Sequence, residues 1–473
     1  MDLHPQHLIG DCLIHIFTFL PEEDLINASS ACKGWHEAAE TPWLWRRLCL
    51  QHWTFCDLAA FQSVNHSWKK YFLQRSHLER KMTKGRTGGY TCKSLRGHRG
   101  KVKGLTYLRE NSAQLPHLWG VSATVCSACT GGTVRAWNIQ SGELLWCSPE
   151  QKPLFGIVSD KRREVVITVE FTGLIKTWNG QTGQELGSFP AAGLLPFTLL
   201  QYNVDDNWFL SVADGRGSLC TLADTSLTEK SSVMVGDSAV NILLISPDRR
   251  LMVAASTDGH DATAICTESL TSPSEDGEPL RLSMPIGGSS AAVFVPTQPA
   301  RLAVVNNEDT QEKVLYVFDL GIKRSKSKSE IQVKLMASFP FTLKVVPRQL
   351  FLKASGSNRL VLAADQELWV YSLNGALLAS FKDHTMSITS LFADSLRVVT
   401  ASEDLSLRVM TWRKDRDRGM ILESRYHLLG GSHTMFRGLT HVACDYSSIV
   451  AVAEGIMGND VLKAYSFRLS AQK

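Results

Sequence analysis

The feature that most constrains this chain is an internal repeat. GGTVRAWNIQSGELL, ending at Leu145, and TGLIKTWNGQTGQEL, ending at Leu186, carry one pattern. Gly132 and Gly173, Trp137 and Trp178, and Gly142 and Gly183 are each 41 residues apart. LYVFDLG at Leu315 is matched by LWVYSLNG at Leu368, 53 residues on, and further copies lie at Ala401–Trp412 and Leu462–Phe467. Around these landmarks, short apolar segments alternate with Gly, Asp, Asn and Ser turns, the texture of an all-β region.

Repeats of roughly 40–50 residues with four short strands each cannot bury both faces of their sheets alone. Stacking them around a ring buries those faces and removes open ends. Strand landmarks at Trp137, Trp178, Cys220, Ala264, Phe318, Trp369, Trp412 and Tyr465 count eight units, with seven as the alternative. The expectation is an all-β propeller over residues 90–473. Tyr90–Leu95 forms a strand without a unit, and the last unit runs out after three strands. The N-terminal strand is therefore predicted to complete the last blade, leaving no unpaired edge. Two polar stretches, Thr271–Pro279 and Lys323–Glu330, are read as exposed loops.

The N-terminal part reads differently. Ile9, Leu13, Ile16 and Leu20 recur at helical spacing, with Leu8 and Phe17 widening the stripe. Pro21 stops that helix, Asp24-Leu25 opens a second, a third runs from about Ser29 to Glu40, and Thr41-Pro42 begins another. Residues 1–50 thus form a small all-α head, followed by a basic helical linker over 51–89 that Gly85, Gly88 and Gly89 end. The head holds Trp35, Trp43 and Trp45, with Trp53 just beyond. In a domain this small, these aromatics are either its core or part of a face for a partner.

Composition narrows the function. The 473-residue chain is long enough for two or more units and has 44% hydrophobic residues, an ordinary globular share. No run of eighteen apolar residues predicts a membrane span, and no basic, cleavable leader is seen at the N-terminus. The 11 cysteines show no pairing framework and are expected to be free in a reducing cytosolic or nuclear compartment. Cys126 and Cys129 form a CxxC with no second ligand pair nearby, on a strand that would point them to opposite faces, so no metal is expected. Within the net charge of +4, residues 66–103 hold twelve basic residues against the single acid Glu79. This is a solvated linker or, alternatively, a nucleic-acid contact. No P-loop, HExxH, GxSxG or EF-hand pattern is present, and no cofactor or enzymatic activity is expected.

Two family resemblances then cover nearly the whole chain. Leu8, Leu13, Ile16, Phe17, Leu20, Asp24-Leu25, Cys32, Trp35 and Leu44-Trp45-Arg46 resemble an F-box, with Ile9 where Pro is usual and Ala31 where a larger aliphatic residue is usual. Gly97-His98, Asp383-His384 and the Trp-Asn pairs at Trp137 and Trp178 resemble WD40 repeats. The hydrogen-bonded Asp–His–Ser/Thr–Trp network of such repeats is expected to be mostly eroded, with Gly131 at the Asp position of the first unit and Met410 at the Trp position of the unit holding His384 and Asp404. The resemblance implies a substrate-recognition subunit of a Skp1–cullin–F-box ubiquitin ligase, non-catalytic itself. It would bind the Skp1 adaptor, and through it a cullin, by Leu8, Ile9, Leu13, Ile16, Phe17, Leu20, Leu25 and Trp45. A target protein would sit on the propeller, where five turn arginines, Arg162, Arg163, Arg216, Arg249 and Arg250, are present without an assigned role. The alternatives are a propeller scaffold without adaptor binding, a nucleic-acid-binding protein using the basic linker, and a propeller enzyme.

Overall fold

The structure is a computed structural model. It describes residues 10–53, 67–85, 89–109, 122–257, 262–273, 278–286, 288–306, 312–324, 329–343, 347–415 and 419–467. These divide into two compact units, a helical one up to Tyr90 that also takes Ser122 and Phe467, and a β unit from Thr91 onward.

The helical unit contains α1 (Gly10–Phe17), α2 (Glu22–Ala28), α3 (Lys33–Ala39), α4 (Pro42–His52) and α5 (Trp68–Lys84). Local chemistry sets their ends. Glu22, Glu23 and Asp24 crowd the first turn of α2, where carboxylates complement the helix dipole. Pro42 opens α4 at a position whose N–H has no helical partner. Ser67 caps α5 by accepting from Lys70 N at 3.1 Å, and Gly85 ends it at φ 51°, a left-handed conformation that costs glycine nothing. The continuous helix expected from residue 51 is interrupted at Trp53, which is extended; residues 54–66 lie outside the described residues.

One core holds this unit together: Leu13, Phe17, Leu25, Ala39, Leu44, Trp45, Tyr71 and Phe72 are buried in it. Trp45 donates Nε1–H to Ala39 O at 2.7 Å, which satisfies a buried donor, and its ring lies 5.7 Å from that of Phe72. The sequence set 51–89 apart as a linker; in the structure α5 supplies Tyr71 and Phe72 to the head's own core. Its basic residues are partly engaged too. Lys69 pairs with Glu40, while Arg75 bonds Glu79 and Tyr71 and stacks 4.3 Å from the Trp53 ring centroid.

The β unit comprises eight antiparallel four-stranded sheets. Seven are built from consecutive strands: blade 1 (residues 102–147), blade 2 (154–190), blade 3 (198–234), blade 4 (242–284), blade 5 (291–342), blade 6 (350–381) and blade 7 (388–429). The first strand of each sheet packs against the first strand of the next, and the last sheet returns to the first. All eight sequence landmarks fall on the third strand of their sheets. Blade 8 consists of 436–466 completed by Thr91–Leu95, which pairs with Val461–Ser466 in the register Thr91↔Ser466 to Leu95↔Leu462. The ring is therefore closed by strands from both ends of the unit, as the unpaired N-terminal strand predicted.

Period-two alternation builds the seams between blades. On the strand Thr124–Cys129, Val125 and Cys129 pack toward Val450 and Leu462 of blade 8, while Cys126 packs toward Val166 and Trp178 of blade 2. The two cysteines of the CxxC thus lie in different cores. Asn138 and Asn179 each accept two backbone N–H groups of the following turn at 2.9–3.0 Å, which explains the Trp-Asn pairs. Gly183, at φ 72°, is needed there because a Cβ would come within 2.6 Å of the Trp146 ring.

Blades 5 and 4 carry additions to the common pattern. The third and fourth strands of blade 5, Glu312–Arg324 and Ser329–Thr342, form a ribbon paired out to Arg324↔Ser329. The stretch 323–330, read as a loop, is thus strand at both ends; residues 325–328 lie outside the described residues. In blade 4 a short helix, α6 (Thr267–Thr271), follows the third strand.

Candidate functional site

In the helical unit, side-chain exposure sorts the eight residues suggested for adaptor docking. Leu13, Phe17, Leu25 and Trp45 are buried in the core, and Leu20 is half-buried against it. These five hold the head together and present little or no surface to a partner. Ile16 is 46% exposed. Leu8 and Ile9 lie outside the described residues. Three large apolar side chains outside that docking set are open to solvent: Phe19 at 75%, Leu50 at 54% and, at 53%, Trp43, one of the tryptophans read as core or partner face. Ile16 lies in the last turn of α1 and Phe19 in the turn just beyond it, where His15 meets Phe19 edge-on at 5.5 Å. Trp43 and Leu50 are seven residues apart on α4, opposite the buried Leu44, Trp45 and Leu48, with the Arg47 guanidinium 6.0 Å from the Trp43 ring centroid. Periodicity finds the stripe that a helix buries in its own domain. The face left for a partner is the complement of that stripe, and only the three-dimensional core separates the two.

In the β unit, the loops entering each blade and the turns between second and third strands lie at one end of the ring. Blades 1 and 7 each carry a buried polar cluster centred on a histidine there. In blade 1, His98 Nε2 lies 2.7 Å from Ser127 Oγ, which also accepts Trp137 Nε1–H at 3.1 Å. His98 Nδ1 is buried and has no partner among the described residues. Burial, helped by the nearby Arg135 cation, lowers the His98 pKa to about 4. In blade 7, His384 Nδ1 donates to Asp404 at 2.9 Å and Nε2 bonds Thr400 Oγ1 at 2.7 Å. Asp404 also accepts from Thr385 N, Ser406 N and Ser406 Oγ. Those bonds overcome its desolvation and hold its carboxyl well below the ordinary range. The repeat network is less eroded than the sequence implied, since each of these blades keeps three of its four members.

The five turn arginines do not converge. Arg162, Arg163, Arg249 and Arg250 lie between first and second strands, whereas Arg216 lies between a second and third strand, at the opposite end. Arg162 is 3.6 Å from Asp206, whose carbonyl Arg163 bonds. No group of three or more His, Cys, Asp or Glu arranged to hold a metal ion occurs among the described residues, and no helix among them is long and apolar enough to cross a membrane.

The chain joins two parts: a small helical head and an eight-bladed β-propeller. The family model for F-box-like domains matches residues 11–51. Over nearly its full length the chain is similar to F-box/WD repeat-containing protein 12 of Homo sapiens, 28% identical over 459 residues covering 96% of this chain and 97% of the relative. It is also similar to F-box/WD repeat-containing protein 15 of Mus musculus, 21% identical over 468 residues covering 97% and 98% of the two chains. Among solved structures, the computationally designed Ika8 protein shares the fold, with TM-score 0.54 and 17% identity, covering 78% of this chain and 98% of that one.

Proposed function

We propose that the chain is a substrate-receptor subunit of a Skp1–cullin–F-box ubiquitin ligase, working in the cytoplasm or nucleus. The observation that carries this reading is the exposed apolar set Ile16, Phe19, Trp43 and Leu50 on a head that matches the F-box-like family. These side chains leave apolar area in water that a partner's helices would cover, each worth about 1.5–3 kcal/mol when fully buried. The Skp1 adaptor is that partner and brings the cullin with it. The propeller holds a target protein, so the chain supplies proximity and orientation while the bond-making chemistry belongs to other subunits.

The test is co-purification of Skp1 with the full chain and with Phe19→Asp and Trp43→Asp. Each substitution is expected to weaken capture at least tenfold while leaving the thermal unfolding midpoint unchanged, because both side chains lie outside the core. Undiminished capture by both variants would break the assignment of this face. No capture by the parent chain would favour a propeller scaffold. Trp45→Asp is unsuited to this test, since it places a charge in the core and unfolds the head.

A further inference from the structure

A cleft of about 420 Å³ opens between α6 of blade 4 and the long ribbon of blade 5. It is lined by Glu268, Ser272, Glu278, Ile322, Arg324 and Ser329, among others. The Glu268 carboxylate ties the two sides together by accepting from Arg324 Nη2 at 2.5 Å, while on its own side the Glu268 backbone carbonyl takes Ser272 N at 2.9 Å. Ser272 is exposed and has left the helix, with φ −139° and ψ 68°. Both Glu268 and Arg324 are more than half exposed, so their ion pair is weak and exchangeable.

Ser272 is followed by Pro273. The chain has four Ser/Thr-Pro pairs, at Thr41, Ser148, Ser246 and Ser272. Ser148 and Ser246 are buried and hydrogen-bonded, to Val134 N at 3.0 Å and to Asp248 Oδ1 at 2.6 Å. Thr41 is half-buried at the start of α4. Only Ser272 offers an exposed hydroxyl in irregular backbone, the presentation that a kinase needs to draw a segment into its active site.

We propose that Ser272 is a phosphorylation site for a proline-directed Ser/Thr kinase, and that Arg324 captures the phosphate in place of Glu268. The kinase transfers the γ-phosphoryl group of ATP to Ser272 Oγ. A P–O bond forms to Oγ, the bond to the bridging oxygen breaks, ADP leaves, and the hydroxyl proton goes to the kinase's base. The added charge of about −1.5 to −2 and three acceptor oxygens then stand in a cleft that already holds Glu268 and Glu278. Among the described residues lining the cleft, Arg324 is the cation able to offset them, and a guanidinium binds a phosphate through two parallel hydrogen bonds. Capture pulls Arg324 off Glu268, so the modification re-makes the tie between blade 4 and the blade 5 ribbon.

The full chain is incubated with a proline-directed kinase and ATP, and the sites are mapped by mass spectrometry. Phosphate is expected at Ser272, with incorporation falling at least tenfold in Ser272→Ala. Absence of phosphate at Ser272 in the folded chain overturns the site. Capture is read by ³¹P NMR titration of the phosphorylated chain. The phosphoserine's second pKa, ordinarily about 6, is expected to fall by about half a unit or more beside Arg324 and to return in Arg324→Ala, whose unmodified melting midpoint stays that of the parent. An identical titration in both proteins overturns the capture.

Discussion

Blades 1 and 7 solve the same packing problem with different members missing. Blade 1 keeps His98, Ser127 and Trp137, and has Gly131 in place of an acid. Blade 7 keeps His384, Thr400 and Asp404, and has the buried Met410 in place of a tryptophan. The losses are not equivalent. Methionine replaces a donor that needed a partner with apolar volume that needs none, so nothing is orphaned. Glycine removes the acceptor for the imidazole and leaves His98 Nδ1 buried without a bond. The physical consequence is a choice of tautomer: His98 keeps its proton on Nε2, toward Ser127, because a bare lone pair costs less than a bare N–H. A polar network survives the loss of a member when the remaining members are still satisfied.

The largest expected effect comes from Asp404→Ala. Asp404 accepts four hydrogen bonds, from His384, Thr385 N, Ser406 N and Ser406 Oγ, at 2.7–3.0 Å. Bonds to a charged acceptor contribute more than neutral ones, and their loss strands donors in a buried site. Unfolding by denaturant should show a destabilisation of about 4 kcal/mol. His384→Ala combined with Asp404→Ala should cost less than the sum of the two single changes, because they share the bond. Full additivity in that cycle would mean that the pair is not coupled as the geometry requires.

How far the sequence disclosed all this follows the same line between periodic and non-periodic signals. The blade repeat, the closure by Thr91–Leu95 and the third-strand landmarks were legible because strand packing imposes period two and the ring imposes a repeat length. Ser127 and Thr400 were not picked out, since a buried hydroxyl inside an apolar strand has no pattern of its own. In the head, the helical stripe at Leu13 and Phe17 correctly marked apolar burial, yet that burial is against the head's own core. Phe19, Trp43 and Leu50 fall outside any stripe, so an outward face could be found only by subtracting the core. The role of α5 was misplaced for a related reason: Tyr71 and Phe72 sit in a strongly basic segment, and charge hid a packing face. The paired ends of the blade 5 ribbon were missed likewise, because Lys323, Arg324 and Glu330 read as loop while their backbones continue the ladder.

A second difference between the blades is their response to acid. His98 has a folded pKa of about 4 against 6.5 when unfolded. The unfolded chain therefore binds more protons across that interval. Stability from this site is fully present above pH 6.5 and is lost as pH falls toward 4, by an amount on the order of 3 kcal/mol. The Asp404 carboxyl is depressed instead, so its contribution is present above the unfolded value of 3.8 and is lost only below it. Denaturant midpoints measured from pH 7 to 4.5 should fall in the parent chain and fall less steeply in His98→Gln. Equal slopes in the two proteins would show that His98 does not carry the mild-acid loss.

The smallest expected effect is also the most direct challenge to the comparison. Restoring the missing acid by Gly131→Asp would, on pattern alone, give His98 its partner and stabilise blade 1. The backbone argues the opposite. A Cβ at residue 131 would lie 2.0 Å from Arg99 O, a main-chain atom that cannot swing aside. The entry loop has closed over the position that an acid would need, so glycine and the orphaned imidazole belong to one arrangement. Gly131→Asp is expected to destabilise the propeller by about 2 kcal/mol and to leave the acid response of His98 in place. A rise in stability, with the loss between pH 6.5 and 4.5 abolished, would show that the loop can reopen and that blade 1 lacks only the carboxylate that blade 7 retains.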